Sequence, residues 1–247
     1  MRFALLVGSL VLLAGCGTSA AAPNDSPSPS TSPGPASAAD RLAGLVAVAQ
    51  DHAYVATYQF SAAGRAKRTI TVTTAADGTW RVDVPGGALG GGKDMSVAGT
   101  RDGVYQCAPS CVQVARAGGA VPAQYDPQVE KVFLDWVPKL ADHDAPLSVA
   151  DATLSGAPGH CFSVEPTAAS LSSPVPAGIY CLGSDGTVTG ARVGIGTLVR
   201  TGTPTAGPKT VTLSAPVTAG SPVPTASPSP SPSPSPSGSP SPSTSAG

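Results

Sequence analysis

The sequence predicts an α+β fold, an antiparallel sheet of hairpins with two amphipathic helices laid on its apolar face. Segments that alternate apolar and polar residues recur along the chain, and three Asp-Gly pairs, Asp77-Gly78, Asp102-Gly103 and Asp185-Gly186, fall between them. Two other stretches carry their apolar residues at helical spacing instead. A two-residue hairpin turn needs residues that tolerate positive φ, and Asp-Gly supplies them. A period of two puts one strand face on a core and the other in water, as in an antiparallel sheet wetted on one side.

Ser37-Ala38-Ala39-Asp40 reads as a capping box, and it opens a helix with Leu42, Leu45, Val46 and Ala49 on one face. Strand signals follow. Tyr54, Ala56, Tyr58 and Phe60 share a face of the first strand, and Ile70 and Val72 a face of the second. Residues 80–84 alternate most cleanly, with Trp80, Val82 and Val84 inward and Arg81 and Asp83 in water. A second helix is expected where Asp126 can cap, Pro127 suits the first helical position, and Val129, Val132, Phe133 and Trp136 form a stripe. Pro138 should kink or end it. Further strands are expected over 147–154, 160–165, 178–182, 187–199 and 210–217, which closes a folded domain at 37–218.

The ends of the chain read differently. Met1-Arg2 precedes a small or apolar run through Gly15, the length of a signal h-region and too short to span about 30 Å of hydrocarbon. It ends in Leu13-Ala14-Gly15-Cys16, which resembles a bacterial lipobox, where the chain is cut before a cysteine carrying diacylglycerol. Residues 1–15 are thus expected to be a lipoprotein signal peptide and Cys16 the lipidation site, holding the protein on the outer face of the cytoplasmic membrane. Two acyl chains on one cysteine meet the requirement for stable anchoring, which one chain does not. The alternative is ordinary cleavage near Ala20-Ala21-Ala22, with Cys16 discarded. Residues 16–36 are nearly all Gly, Ala, Ser, Thr and Pro and read as a disordered stalk. Residues 219–247 form an uncharged Ser/Pro tail that favours polyproline II, about 90 Å long if fully drawn out. It is expected either to thread into cell-wall polymer or simply to solubilise the terminus.

With 14 Lys and Arg against 15 Asp and Glu, the net charge of -1 leaves no electrostatic footprint for nucleic acid or an anionic membrane surface. Beyond Cys16, the even set Cys107, Cys111, Cys161 and Cys181 fits disulfides in an oxidising compartment. Three connectivities are possible, and the short Ala108-Pro109-Ser110 loop favours Cys107 with Cys111, leaving Cys161 with Cys181. A Cys-x3-Cys zinc or redox site is the alternative, but no Cys-x2-Cys or His pair completes a tetrahedral set.

Residues 87–94 approach a phosphate-binding P-loop and fail at the end: Asp94 stands where magnesium needs a hydroxyl, and a strand follows instead of a helix. His52, His143 and His160 stand in no recognisable relation to a nucleophile, and Asp142-His143-Asp144 reads as a solvated helix end. No catalytic residue, metal site or cofactor is predicted, and an extracytoplasmic hydrolase would need His143 or His160 beside a nucleophile in space.

The lipobox, stalk, amphipathic helix and hairpin meander with a second apolar helix resemble the LolA-like lipoprotein-carrier superfamily and its anchored actinobacterial relatives, the LppX/LprG-type lipoproteins. The likeness spans about residues 38–217, carried by Asp77-Gly78-Thr79-Trp80-Arg81-Val82-Asp83, Asp102-Gly103-Val104-Tyr105, Cys161-Phe162-Ser163-Val164, and Tyr180-Cys181-Leu182 before Asp185-Gly186. The four extra cysteines depart from the carrier type. The resemblance implies a strongly curved sheet, an open half-barrel, with helices over its concave face and an acyl chain between. Tyr58, Phe60, Ile70, Val72, Trp80, Val82, Val84, Phe133 and Trp136 are the expected cavity lining, unless the helices seat tightly and these positions are filled core. The expected function is binding or carrying a lipid or other hydrophobic ligand. The alternative is an envelope structural or sensor module whose tail engages the wall.

Overall fold

The computed structural model of the chain describes residues 36–49, 52–167 and 173–226. The expected signal peptide, Cys16, nearly all of the stalk, and the tail from 227 onward lie outside the described residues. The described body is α+β: one open eleven-stranded antiparallel sheet with two helices.

Helix α1 (Ala38–Ala49) starts as its sequence dictates. Ser37 Oγ accepts from Asp40 N at 3.1 Å, and Asp40 Oδ2 accepts from Ser37 N and Oγ at 3.2 and 2.7 Å. Each satisfies an otherwise orphaned donor of the first turn. Leu42, Ala43 and Val46 are buried. The strands are β1 (Tyr54–Ser61), β2 (Arg68–Thr74), β3 (Trp80–Ala88), β4 (Lys93–Gly99), β5 (Val104–Cys107) and β6 (Cys111–Ala115), then β7 (Leu147–Ala152), β8 (His160–Pro166), β9 (Gly178–Leu182), β10 (Val188–Val193) and β11 (Gly196–Ala206). Two meanders run outward from the centre, where β1 pairs with β11 in the order β6-β5-β4-β3-β2-β1-β11-β10-β9-β8-β7. The three Asp-Gly pairs turn β2 into β3, β4 into β5 and β9 into β10. Gly78 and Gly186 take φ of 80° and 76°, and in both turns the aspartate Oδ1 accepts from the backbone N and Oγ1 of a following threonine, Thr79 or Thr187.

The segment expected as one strand over 187–199 is a hairpin, because Gly194, Ile195 and Gly196, with φ of 142° at Gly196, allow a reversal inside an otherwise apolar run. Helix α2 starts later than expected. Asp126 is not its cap: Gln128 takes that place at φ 61°, and Asp126 Oδ1 accepts from Gln128 N at 2.6 Å. α2 then runs as an α turn (Val129–Lys131), a π turn (Val132–Trp136) and a last α turn (Val137–Lys139). Pro138 marks its end as expected: the helix stops at Lys139, one residue later, and its winding is already distorted before the proline. The wider turn, with Val137 N donating to Val132 O, comes just before the proline, which brings no N–H and would crowd a normal i-4 carbonyl.

The expected strand over 210–217 is instead an arm crossing the outer face of the first meander. Val211 N donates to Thr79 Oγ1 at 2.8 Å, Arg81 donates to Thr212 O at 2.9 Å, and Val217 makes only a single parallel bridge to Cys111. Crossing the strands, the arm cannot pair along them. It covers Tyr105, Cys107 and Cys111 with Leu213 and Ala215, so this half of the sheet is not wetted on its outer side as expected. Nor does the tail begin free at 219: Val223 N and O bond to the Gln106 side chain at 2.6 and 2.8 Å, and Thr225 N donates to Gln124 O at 2.9 Å.

Disulfides join Cys107 to Cys111 and Cys161 to Cys181, in each case between residues facing each other across neighbouring strands. Both pack in small clusters apart from the main core. Paired in this way, the four sulfurs are not available as thiolate ligands for zinc.

Candidate functional site: a recess between the sheet end and both helices

The main core lies between the inner sheet face and the helices. Phe133 of α2 meets Tyr58 of β1 with ring centroids 4.8 Å apart. Tyr58, Ile70, Val72 and Val82 are 0% exposed, and with buried Trp136 they belong to this filled interior, bordering none of the recesses described below. That corrects the expectation for these five as cavity lining. Alternation assigns a residue to the inner face, but whether that face meets protein or a gap depends on how closely the helices approach.

The helices leave a gap at one end of the sheet, where β1 and β3 begin and β2 ends. This upper recess measures about 390 Å³. Its helical walls are Val46 and Ala49 of α1 and Phe133, Leu134, Val137 and Pro138 of α2; its sheet walls include Tyr54, Thr74, Gly78, Thr79, Trp80, Gly186 and Val188. The two Asp-Gly-Thr turns thus form its rim. Trp80 and Phe133 are the expected cavity residues that line it. Phe60 and Val84 border a separate recess of about 380 Å³ at the opposite end of the sheet.

Trp80 is held by an absence. It lies opposite Gly99 of β4, where a Cβ would come within 2.3 Å of the indole Nε1 and 2.4 Å of Cε2. Half-buried Trp80, with Leu134 and Gly78, also borders a third recess of about 420 Å³, so it divides two adjoining spaces. α1 is seated over the upper recess by a second close approach, since a Cβ on Gly186 would stand 2.5 Å from Ala49 N and Leu45 O.

The upper recess has no Asp, Glu, Lys or Arg in its wall. Burial pushes the Tyr54 hydroxyl up to about 12, so it stays neutral near pH 7. Tyr58 behind it is likewise raised by burial and donates to Val188 O at 2.9 Å. His52 stands at the rim as the one imidazole of the wall. His143 sits 4.0 Å from Asp40, and exposed His160 begins β8.

Charge gathers instead at the start of α2. Burial, and then the carboxyl of Asp126 beside it, hold Glu130 well above the usual carboxylate range, which favours its protonated form. Asp126 is paired with Lys131 at 2.6 Å. Asp126 Oδ2 takes the Lys131 ammonium, and a proton on Glu130, shared with the Asp126 carboxyl beside it, accounts for a buried Glu130 Oε2 that has no other donor. Sequence reasoning read Asp126 only as a cap and passed over Glu130. The signal was present in Glu130's place, directly after Val129 and three residues before Phe133 on the buried stripe.

No group of three or more His, Cys, Asp or Glu among the described residues is arranged to hold a metal ion. The chain matches no family model and no curated protein.

Proposed function

We propose that this protein is an extracytoplasmic lipoprotein, anchored through Cys16, that binds or carries a lipid or another uncharged hydrophobic molecule in the upper recess. The observation that carries this reading is an apolar recess of about 390 Å³ between two helices and a sheet end, with no formally charged side chain in its wall. Its size lies in the range of small-ligand sites, and each methylene buried there would contribute about 0.8 kcal/mol. The likeness to the LolA-like carriers points the same way. Organic extraction of protein purified from its native host, followed by mass spectrometry, should recover a lipid in stoichiometric amount. Its yield should fall with Val188→Trp, which fills the recess; a clean extract from the wild type defeats the proposal.

A second reading, an envelope module with a wall-binding tail, gains support from the root of that tail. The arm through Thr225 is hydrogen-bonded to the body, so tension on residues beyond it would reach Gln106 and Gln124. Deleting residues 227–247 should then abolish wall retention while leaving hydrophobic-probe binding unchanged.

A further inference from the structure

At the end of the sheet opposite the upper recess, the β1–β2 hairpin and the glycine-rich β3–β4 connection flank an open, shallow cleft of about 700 Å³. Arg65, Lys67 and Arg68 line it against a single carboxylate, Asp94. Asp94 is already engaged, its Oδ1 accepting from Gly86 N at 2.7 Å. None of the three cations makes an ion pair with another described residue. Arg68 is fixed in direction, because its Nη1 donates to Pro85 O at 3.3 Å and Gly86 O at 2.5 Å, leaving Nη2 and Nε free of those bonds. Partial burial, and then the nearby charge of Arg65, lower the Arg68 pKa. Like charges held this close, one of them partly out of water, gain most from an anion between them. Arg65 and Arg68 also border the adjoining recess of about 380 Å³, whose wall includes Phe60, Val84, Val129 and Ile195 together with Gln128 and Asp126, the latter buried and paired with Lys131.

We infer that this cleft is a binding site for the phosphate of an anionic amphiphile, with Arg65, Lys67 and Arg68 on the phosphate and the apolar side of the adjoining recess, at Phe60, Val84, Val129 and Ile195, taking the start of its acyl portion. Arginine suits this task because its planar fork meets phosphate oxygens in pairs. The site stands apart from the upper recess and does not depend on the function proposed there.

The test uses the full chain carrying Cys16→Ser, so that no attached acyl group contributes, in co-sedimentation with vesicles of phosphatidylcholine alone or mixed with phosphatidylglycerol. Neutral vesicles measure whatever the apolar N-terminal segment contributes. Binding to the mixed vesicles should be about tenfold tighter or more at low salt and should weaken as salt screens the charges. The double variant Arg65→Gln/Lys67→Gln changes only exposed side chains and should reduce binding to the phosphatidylcholine level, as should Arg68→Gln provided its circular dichroism is native. Glycerol 3-phosphate distinguishes the sources of the phosphate. Competition by it supports the site with the phosphate ester alone sufficient; failure to compete, with the vesicle preference intact, supports it with the acyl part required. The inference is overturned if phosphatidylglycerol confers no preference, or if the preference survives the double variant. Extracted lipid whose yield falls with Val188→Trp bears only on the other proposal, since Val188 borders the upper recess and not this cleft.

Discussion

Gly99→Ala probes the upper recess through a residue that does not line it. The new methyl would sit 2.3 Å from Nε1, 2.4 Å from Cε2 and 2.8 Å from Cζ2 of Trp80, all well inside contact distance. The β4 backbone is paired on both sides, to β3 and β5, and cannot retreat, so the indole must swing off the strand. Overpacking of this kind costs about 1 to 3 kcal/mol, a Tm drop of roughly 3 to 10 °C for a body of this size. Because Trp80 divides two recesses, its displacement also removes a wall from each. The chain has two tryptophans, so a Trp136→Phe background makes Trp80 the sole emitter. Gly99→Ala should shift its fluorescence to the red and weaken binding of a hydrophobic probe. A double-mutant cycle isolates the cause: in a Trp80→Ala background the alanine has nothing to strike, so its cost should nearly vanish. An equal cost in both backgrounds, or unchanged emission, would refute the account of Trp80 and Gly99.

Gly186→Ala should lift the last turn of α1, since the methyl meets backbone atoms of Leu45 and Ala49 at 2.5 Å and φ is 76°. We expect a loss of about 2 kcal/mol or more and faster amide exchange in α1, whereas Gly194→Ala, with nothing within 4 Å, should be silent. Glu130 binds its proton more tightly folded than unfolded, so its stabilising effect is complete below its ordinary pKa of 4.5 and is lost as pH rises through the raised folded value. Glu130→Gln should remove that decline, and urea unfolding of both proteins across pH 4 to 9 checks the sign. Truncation after residue 226 should leave stability unchanged. Truncation after residue 218 removes Val223 N and O from the Gln106 side chain, on a residue only 2% exposed, leaving Oε1 without its donor and Nε2 with Tyr125 O alone, and should cost about 1 to 3 kcal/mol by chemical denaturation.

Local chemistry made much of the fold legible. The Ser37–Asp40 capping box, the Asp-Gly turns and the alternation from Tyr54 to Phe60 each act over a few residues, and each appears in the structure where the chain calls for it. The disulfide pairing was readable for the same reason, as a three-residue loop can oppose its flanking cysteines across a hairpin. Less local features were not. The arm alternates from Val211 to Ala215 like a strand, and nothing in that period announces that it crosses the outer face instead of pairing along it, or that the residues after it tie down Gln106. The π turn before Pro138 has no pattern separate from the α-helical stripe around it.

By itself, the sequence determined which residues of the first strands face inward, where the three Asp-Gly pairs reverse the chain and which cysteines can pair, because those depend on backbone geometry over short spans. Only the tertiary structure decided that Tyr58, Ile70, Val72 and Val82 are filled core while Trp80 and Phe133 border a gap, since that depends on where two separately formed helices come to rest. It also decided where charge collects. A chain with net charge -1 shows no cationic site as a sum, yet folding one hairpin against a glycine-rich loop leaves Arg65, Lys67 and Arg68 together with one carboxylate already occupied. Composition adds charges without regard to place, whereas recognition depends on their separation and on the water that folding takes away.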